Sequence, residues 1–262
     1  MPTKSSSQRT GARRRSEIPD SILRQLNCGE IETANLVEGL AIRFDLLLQS
    51  VCPDAPDDVL QAISSDDLGI TRRMAFVGQW LAENLPAREF DRLRQHPSDT
   101  VRGWAAYQLP HLNNRSVATL LKKVRPLADD RHFGVREWAW LAIRPQLANN
   151  LYESLNQFEP WVVNSSENIR RFAVESLRPC GVWCSHITAL KESLEQAMPL
   201  LEPVRADPSK YVQDSVSNWL SDAAKSQASW VETLLNRWDR ESKSPATERI
   251  TRRVRQRMAK RK

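Results

Sequence analysis

Apolar residues along this 262-residue chain return at helical intervals. Leu23 and Leu26, Leu36 and Leu40, and Phe44 and Leu47 lie three or four residues apart, as do Ile250, Val254 and Met258 near the end. Such spacing puts side chains on one face of an α-helix, whereas a half-buried strand would alternate. A longer period runs through the middle of the chain. Four segments open on a polar turn, continue with a Val or Ile, and reach a Leu or Ile eight residues later: His96 to Leu109, Asp130 to Ile143, Asn164 to Leu177 and Asp207 to Leu220. Their anchors, Val101, Val135, Ile169 and Val212, are 34, 34 and 43 residues apart. A weaker copy, Asp66 to Arg72 with Ile70, lies 31 residues before the first.

A polar turn before each anchor predicts a helix N-cap there, and the segment between copies predicts a partner helix. One such pair cannot bury its apolar stripe alone, so copies at this period stack on their neighbours. The expected fold class is all-α: a HEAT-like α-solenoid (α-α superhelix) with basic N- and C-terminal extensions, curved so that second helices line a concave face. The expected boundaries are a disordered basic tail over 1–19, a solenoid over 20–247 with a helical N-terminal cap, and a basic C-terminal helix or tail over 248–262.

Composition narrows the class further. Glycine numbers 8, well below the roughly 7% of an average chain, and all-β folds need it at turns and bulges. No apolar run reaches membrane-spanning length, and the charged N-terminus has no apolar stretch behind it to make a secretory signal. Cys28, Cys52, Cys180 and Cys184 are too few and scattered for a disulfide scaffold, which points to a reducing compartment.

Charge is unevenly placed. Lys and Arg number 38 against 32 Asp and Glu, a net +6. Residues 1–15 carry +5 and residues 248–262 carry +7, so the span between them is net −6. Basic ends serve either as solubilising tails or as polyanion anchors, since Lys and Arg beside phosphates gain affinity by releasing counterions. The helix expected over 248–262 has a thin apolar face, which favours nucleic acid over a membrane surface. Its Arg252, Arg253 and Arg255 are candidate DNA contacts.

The usual catalytic signatures are absent: there is no Gly-rich phosphate loop, no G-x-S-x-G elbow and no H-E-x-x-H. The four histidines show no metal spacing, and Cys180, Cys184 and His186 read as buried thiols and a lone imidazole more readily than as a zinc site. No metal and no cofactor are expected. Three Arg-Pro steps, at Arg125, Arg144 and Arg178, are expected to end helices, which leaves each Arg either as a C-terminal cap or, for Arg144 and Arg178, as rungs of a phosphate ladder. From Tyr211 to Lys225, Tyr211, Ser215, Asn218 and Asp222 form a polar row at helical spacing. Trp138, Trp140, Trp183 and Trp219 are core filler or cleft aromatics. A carboxylate framed by several Trp is the less ordinary arrangement.

Three stretches carry a family resemblance. Ile169 to Trp183 contains Arg178-Pro179 followed by Trp183, and resembles the R-P-x-x-x-W segment of the AlkC/AlkD-type DNA alkylation-repair glycosylases. Tyr211 to Lys225 is similar to the helix Y-V-x-x-S-V-x-N-x-L-x-D-x-x-K of the AlkC branch. Ala142-Ile143-Arg144-Pro145 is similar to its A-I-R-P step. The resemblance covers roughly residues 95–240. It implies a solenoid that cradles duplex DNA and cleaves the glycosidic bond of cationic methylated bases, with Asp222 as catalytic carboxylate and Trp183 as a cleft aromatic. One position departs from it. The AlkC-type pattern has a glutamate two residues before A-I-R-P, where this chain has Trp140. Glu137, one helical turn earlier, is either a second acid reaching the same cleft or a surface acid.

The leading expectation is a DNA-binding alkylation-repair glycosylase acting on alkylated double-stranded DNA, cytoplasmic and nucleoid-associated, and monomeric. Its expected site is Asp222, Trp183 and Glu137, with Arg144, Arg178, Trp140, Tyr211, Asn218, Arg252, Arg253 and Arg255 on the DNA. The rival classes are a non-catalytic solenoid recognising damaged or structured DNA and a protein-interaction scaffold.

Overall fold

The computed structural model describes residues 9–64, 68–112, 116–181 and 183–260. Among them it is all-α, with short 3-10 turns and no strand. The helices begin with α1 (Asp20–Asn27), α2 (Leu36–Ala41), α3 (Phe44–Val51), α4 (Asp57–Ser64), α5 (Ile70–Asn84), α6 (Glu89–Leu93), α7 (Asp99–Gln108) and α8 (Val117–Ala128). They continue with α9 (Phe133–Asn149), α10 (Leu151–Val162), α11 (Glu167–Ser176), α12 (Thr188–Glu192), α13 (Met198–Leu201), α14 (Lys210–Ala223), α15 (Ala228–Glu241) and α16 (Pro245–Ala259). The chain divides into two compact units, one of Met1–Arg115 with Asp130–Ala142, the other of Ser116–Asp129 with Ile143–Lys262.

The repeat is realised at the same place in every copy. Val101, Val135, Ile169 and Val212 each occupy the third residue of their helix, and none is more than 1% exposed. The residues eight positions on, Leu109, Ile143, Leu177 and Leu220, are equally buried. Stacking then follows from burial, because each helix offers a stripe that only a neighbour can cover.

Capping is done one step earlier than the pattern predicts. At Ser98 and Ser166 the hydroxyl makes no cap bond, whereas His132 Nδ1 and the Ser209 hydroxyl accept from amides within their helices, those of Gly134 and Tyr211. Instead the first residue of each turn accepts from the amide two residues on: His96 from Ser98, Asp130 from His132, Asn164 from Ser166 and Asp207 from Ser209. That short-range bond closes the turn before the helix starts. The residue after each anchor then folds back on the same turn. Arg102, Arg136, Arg170 and Gln213 donate to the carbonyls of His96, Asp130, Asn164 and Asp207. Arg102 also bridges to Asp130 and Arg170 to Asp207, so one turn is tied to the next within each unit.

In the first unit, α5 packs closely on α7: a Cβ on Gly78 would lie 2.3 Å from that of Tyr107, so only glycine allows this approach. Phe44 meets Trp104 edge-on at 5.5 Å beneath them. Arg9 donates to both carboxylate oxygens of the buried Glu38, at 2.6 and 2.7 Å, and Ile18 is buried. The chain from Arg9 onward thus lies against the unit. The rest of the basic tail, residues 1–8, falls outside the described residues, as does Asp66 of the weak copy. In the second unit, Phe158, Trp161 and Phe172 form an aromatic cluster. α16 buries Ile250 and Val254 completely.

Two Arg-Pro steps do not end helices. Pro126 lies within α8 and Pro145 within α9. Arg144 is therefore mid-helix and not a C-terminal cap. The helix continues because the turns after Pro145 re-form their bonds, as from the Asn150 amide to the Gln146 carbonyl. α11 does end ahead of Arg178-Pro179. Among the described residues no helix is long and apolar enough to cross a membrane.

Candidate functional site

In the second unit, α11 and α14 pack together and bring two acids of distant sequence to one place. Glu175 is the second-last residue of α11, and Asp222 the second-last of α14. They are 3% and 4% exposed. A carboxylate this deeply buried must be paired with charge or hydrogen-bond donors. Arg178, just beyond α11, supplies both acids: Nη1 donates to Glu175 Oε1 at 2.5 Å, while Nε and Nη2 donate to Asp222 Oδ2 at 2.9 and 2.6 Å. Lys225 donates to the other oxygen of Asp222 at 2.6 Å. Ser215 donates to Glu175 at 2.5 Å, and Arg171 stands 3.8 Å from the same oxygen.

Burial alone would push the Glu175 carboxyl up. Arg171, Arg178 and the Ser215 hydroxyl outweigh it and hold that group below its ordinary range. Burial would likewise weaken the Arg178 cation, yet Glu175 and Asp222 leave it more firmly protonated than usual. The two acids thus share one cation.

The chain between α11 and α12 is anchored one carbonyl after another. Arg144 donates to the carbonyls of Ser176 and Arg178 at 2.6 Å, and to that of Ser185 at 3.1 Å. Trp219 Nε1 donates to the carbonyl of Leu177, and the Ile187 amide to that of Pro179. Arg144 therefore grips the loop on both sides of its tip. Burial is the main effect on its guanidinium, lowering its pKa although Cys184 and the two acids oppose this. At the tip stands Trp183, with φ of 61° and 54% exposed. A non-glycine residue in this region is strained and persists only where its surroundings insist on it. Gly181 shows how tight the turn is, since a Cβ there would lie 2.3 Å from Cys184 Sγ.

The expected site residues are thereby sorted. Asp222 and Trp183 lie in the second unit, one buried among cations and one displayed on a fastened loop. Glu137 lies in the first, where its carboxylate accepts from Trp140 Nε1 at 2.9 Å. Trp140 is 3% exposed, which makes it a core residue and not a surface for DNA. Arg144 is 2% exposed with its guanidinium among carbonyls, and Arg178 is spent on two carboxylates. Neither is a rung of an open phosphate ladder. Arg171 stacks over the Tyr211 ring at 4.5 Å, and Asn218 accepts from Arg257 at 2.7 Å. Arg255 is turned to α15, on Glu232, Asp239 and Asn236, whereas Arg252 and Arg253 remain at the surface.

Glu175 and Lys225 were missed by sequence reasoning. Glu175 is one helical turn before Arg178, and Lys225 one turn after Asp222. That i, i+3 spacing of opposite charges was the available signal. Among the described residues no group of three or more His, Cys, Asp or Glu is arranged to hold a metal ion.

No family model matches the chain. An uncharacterized protein of Bacillus subtilis, YhaZ, is 26% identical over 184 residues, 69% of this chain and 51% of that protein. Among solved structures, the Pseudomonas fluorescens alkylpurine DNA glycosylase AlkC, bound to DNA containing an abasic site analog, superposes with a TM-score of 0.59 at 24% identity. It covers 79% of this chain and 58% of its own. AlkD2 of Streptococcus mutans gives 0.58 at 20% identity, over 75% of this chain and 95% of its own. This chain thus spans little more than half the length of YhaZ and of AlkC. It has the helical-repeat fold of the AlkC/AlkD-type proteins, as the three sequence stretches led one to expect.

Proposed function

We propose that this chain is a DNA alkylation-repair protein that excises cationic methylated bases from duplex DNA by hydrolysing the N-glycosidic bond. The observation that carries the reading is the buried Asp222, held between Arg178 and Lys225 in the unit that displays Trp183. A positively charged alkylbase is already a good leaving group, so no strong general acid is needed. What the reaction lacks is stabilisation of the oxocarbenium-like sugar that develops as the base departs. A preorganised carboxylate supplies this and orients the attacking water.

In this reading Asp222 is the catalytic carboxylate. Arg178 fixes one of its oxygens, and Lys225, 45% exposed, is the partner that yields to substrate. Trp183 packs on the lesion nucleotide, its face attracted to the cationic base. The protein works as a monomer on the DNA of the cytoplasm. Arg144 serves DNA indirectly, by holding the loop under Trp183.

A second reading has its own observation. Both Asp222 oxygens are already paired, and Trp140 stands where the resembling pattern has a glutamate. On that reading the chain binds damaged duplex DNA without cleaving it. Single-turnover base release from methylated duplex DNA separates the two. The glycosylase reading expects release by the wild type and none by Asp222→Asn, with DNA affinity nearly unchanged. Undiminished release by the variant, or none by the wild type, overturns it.

A further inference from the structure

α16 lays one side on the protein and turns a cationic groove outward. Ile250 and Val254 are fully buried, with Thr247 and Thr251 beside them. The opposite side forms a groove of about 360 Å³ lined by Arg249, Arg252, Arg253, Gln256, Arg257 and Lys260. Arg249 and Arg253 share one carboxylate, Asp214, at 2.7 and 2.9 Å, and Arg252 meets Glu248 at 3.5 Å. Arg252 is 61% exposed, and Lys260 is exposed at the end of the helix.

The groove is aligned with the carboxylate cluster through α14. Asp214, Asn218 and Asp222 follow each other at intervals of four residues along one row of that helix. Asp214 holds Arg249 and Arg253, Asn218 holds Arg257, and Asp222 belongs to the cluster. Asn218 and Asp222 are therefore one turn apart, about 6 Å of rise, against about 3.4 Å per nucleotide along a duplex strand. We infer that the α16 groove binds the phosphate backbone of duplex DNA a nucleotide or two from the residue presented to Asp222. This rests on the proposed function only for the position of that nucleotide; the binding of duplex phosphates stands on the groove itself. A membrane surface is the poorer occupant, because the apolar face an interfacial helix would insert is already buried in the protein.

The test is the salt dependence of binding to undamaged duplex DNA. The triple variant Arg252→Gln, Arg253→Gln, Lys260→Gln removes three groove cations at the surface. A control, Arg24→Gln, Arg88→Gln, Lys122→Gln, removes three exposed cations elsewhere. The slope of log K against log salt should fall by about 2 to 3 in the groove variant, with roughly tenfold or greater loss of affinity near physiological salt, and stay close to wild type in the control. Equal losses in both variants would reduce the effect to net charge and overturn the inference. So would a wild type that does not bind duplex DNA, or a groove variant that binds DNA normally but loses vesicles containing anionic lipid. Base release is scored separately. A groove variant with the lower slope, in a protein that never releases base, keeps the inference and sinks the glycosylase reading. An unchanged slope in a protein that does release base has the opposite result.

Discussion

Arg178 donates twice to a single oxygen of Asp222, from Nε at 2.9 Å and Nη2 at 2.6 Å, across 44 residues of chain. The same guanidinium reaches Glu175, so one cation serves two buried acids. Replacing it with Gln would leave both acids short of charge. Breaking a buried pair by removing one partner typically costs about 3 to 5 kcal/mol. Arg178→Gln is expected to lower stability by about 3 kcal/mol in denaturant unfolding. A double-mutant cycle with Asp222→Asn should show clear coupling; strict additivity would mean the pair contributes nothing.

Arg144 is a structural cation by its contacts, and its loss should be felt in the loop more than in the helix that carries it. Each bond to a charged donor is worth about 1.5 to 3 kcal/mol. Arg144→Leu is expected to destabilise the second unit by at least about 2 kcal/mol and to raise hydrogen exchange at the Ile187 amide. If exchange there stays at the wild-type rate, Arg144 does not hold the loop.

Gly181 and Cys184 make a compensating pair. A Cβ at residue 181 would sit 2.3 Å from Cys184 Sγ. Gly181→Ala should cost about 1 to 3 kcal/mol through overpacking. Adding Cys184→Ala removes the sulfur and should recover much of that loss. Thermal unfolding of the two single variants and the double variant reads this directly, and a double variant no better than Gly181→Ala would show that the clash lies elsewhere.

Glu175 gives the fold a pH dependence of defined sign. Its folded pKa lies below the ordinary 4.5, because Arg171, Arg178 and Ser215 together overcome burial. Its contribution is therefore present above that value and is lost as pH falls through the lowered one. Unfolding free energy measured from pH 7 down to pH 3 should decline less steeply in Glu175→Gln than in wild type. Parallel curves would mean that Glu175 is not ionised in the folded protein.

The sequence by itself determined the all-α class and the four helices that carry the repeat anchors. Anchor spacing and turn chemistry are local, and Val101, Val135, Ile169 and Val212 are each buried three residues into a helix as that pattern demands. It also singled out Asp222 and Trp183, through motifs whose residues lie close together in the chain. Only the tertiary structure decided which of the similar residues does what. Trp140 is buried at 3% and Trp183 exposed at 54%, because burial depends on what packs above a side chain. Arg144 and Arg252 are alike as letters, yet one is committed to three carbonyls and the other is left at the surface. Glu175 and Asp222 share Arg178 only because α11 packs on α14. That contact joins residues 47 apart, and no local spacing encodes it.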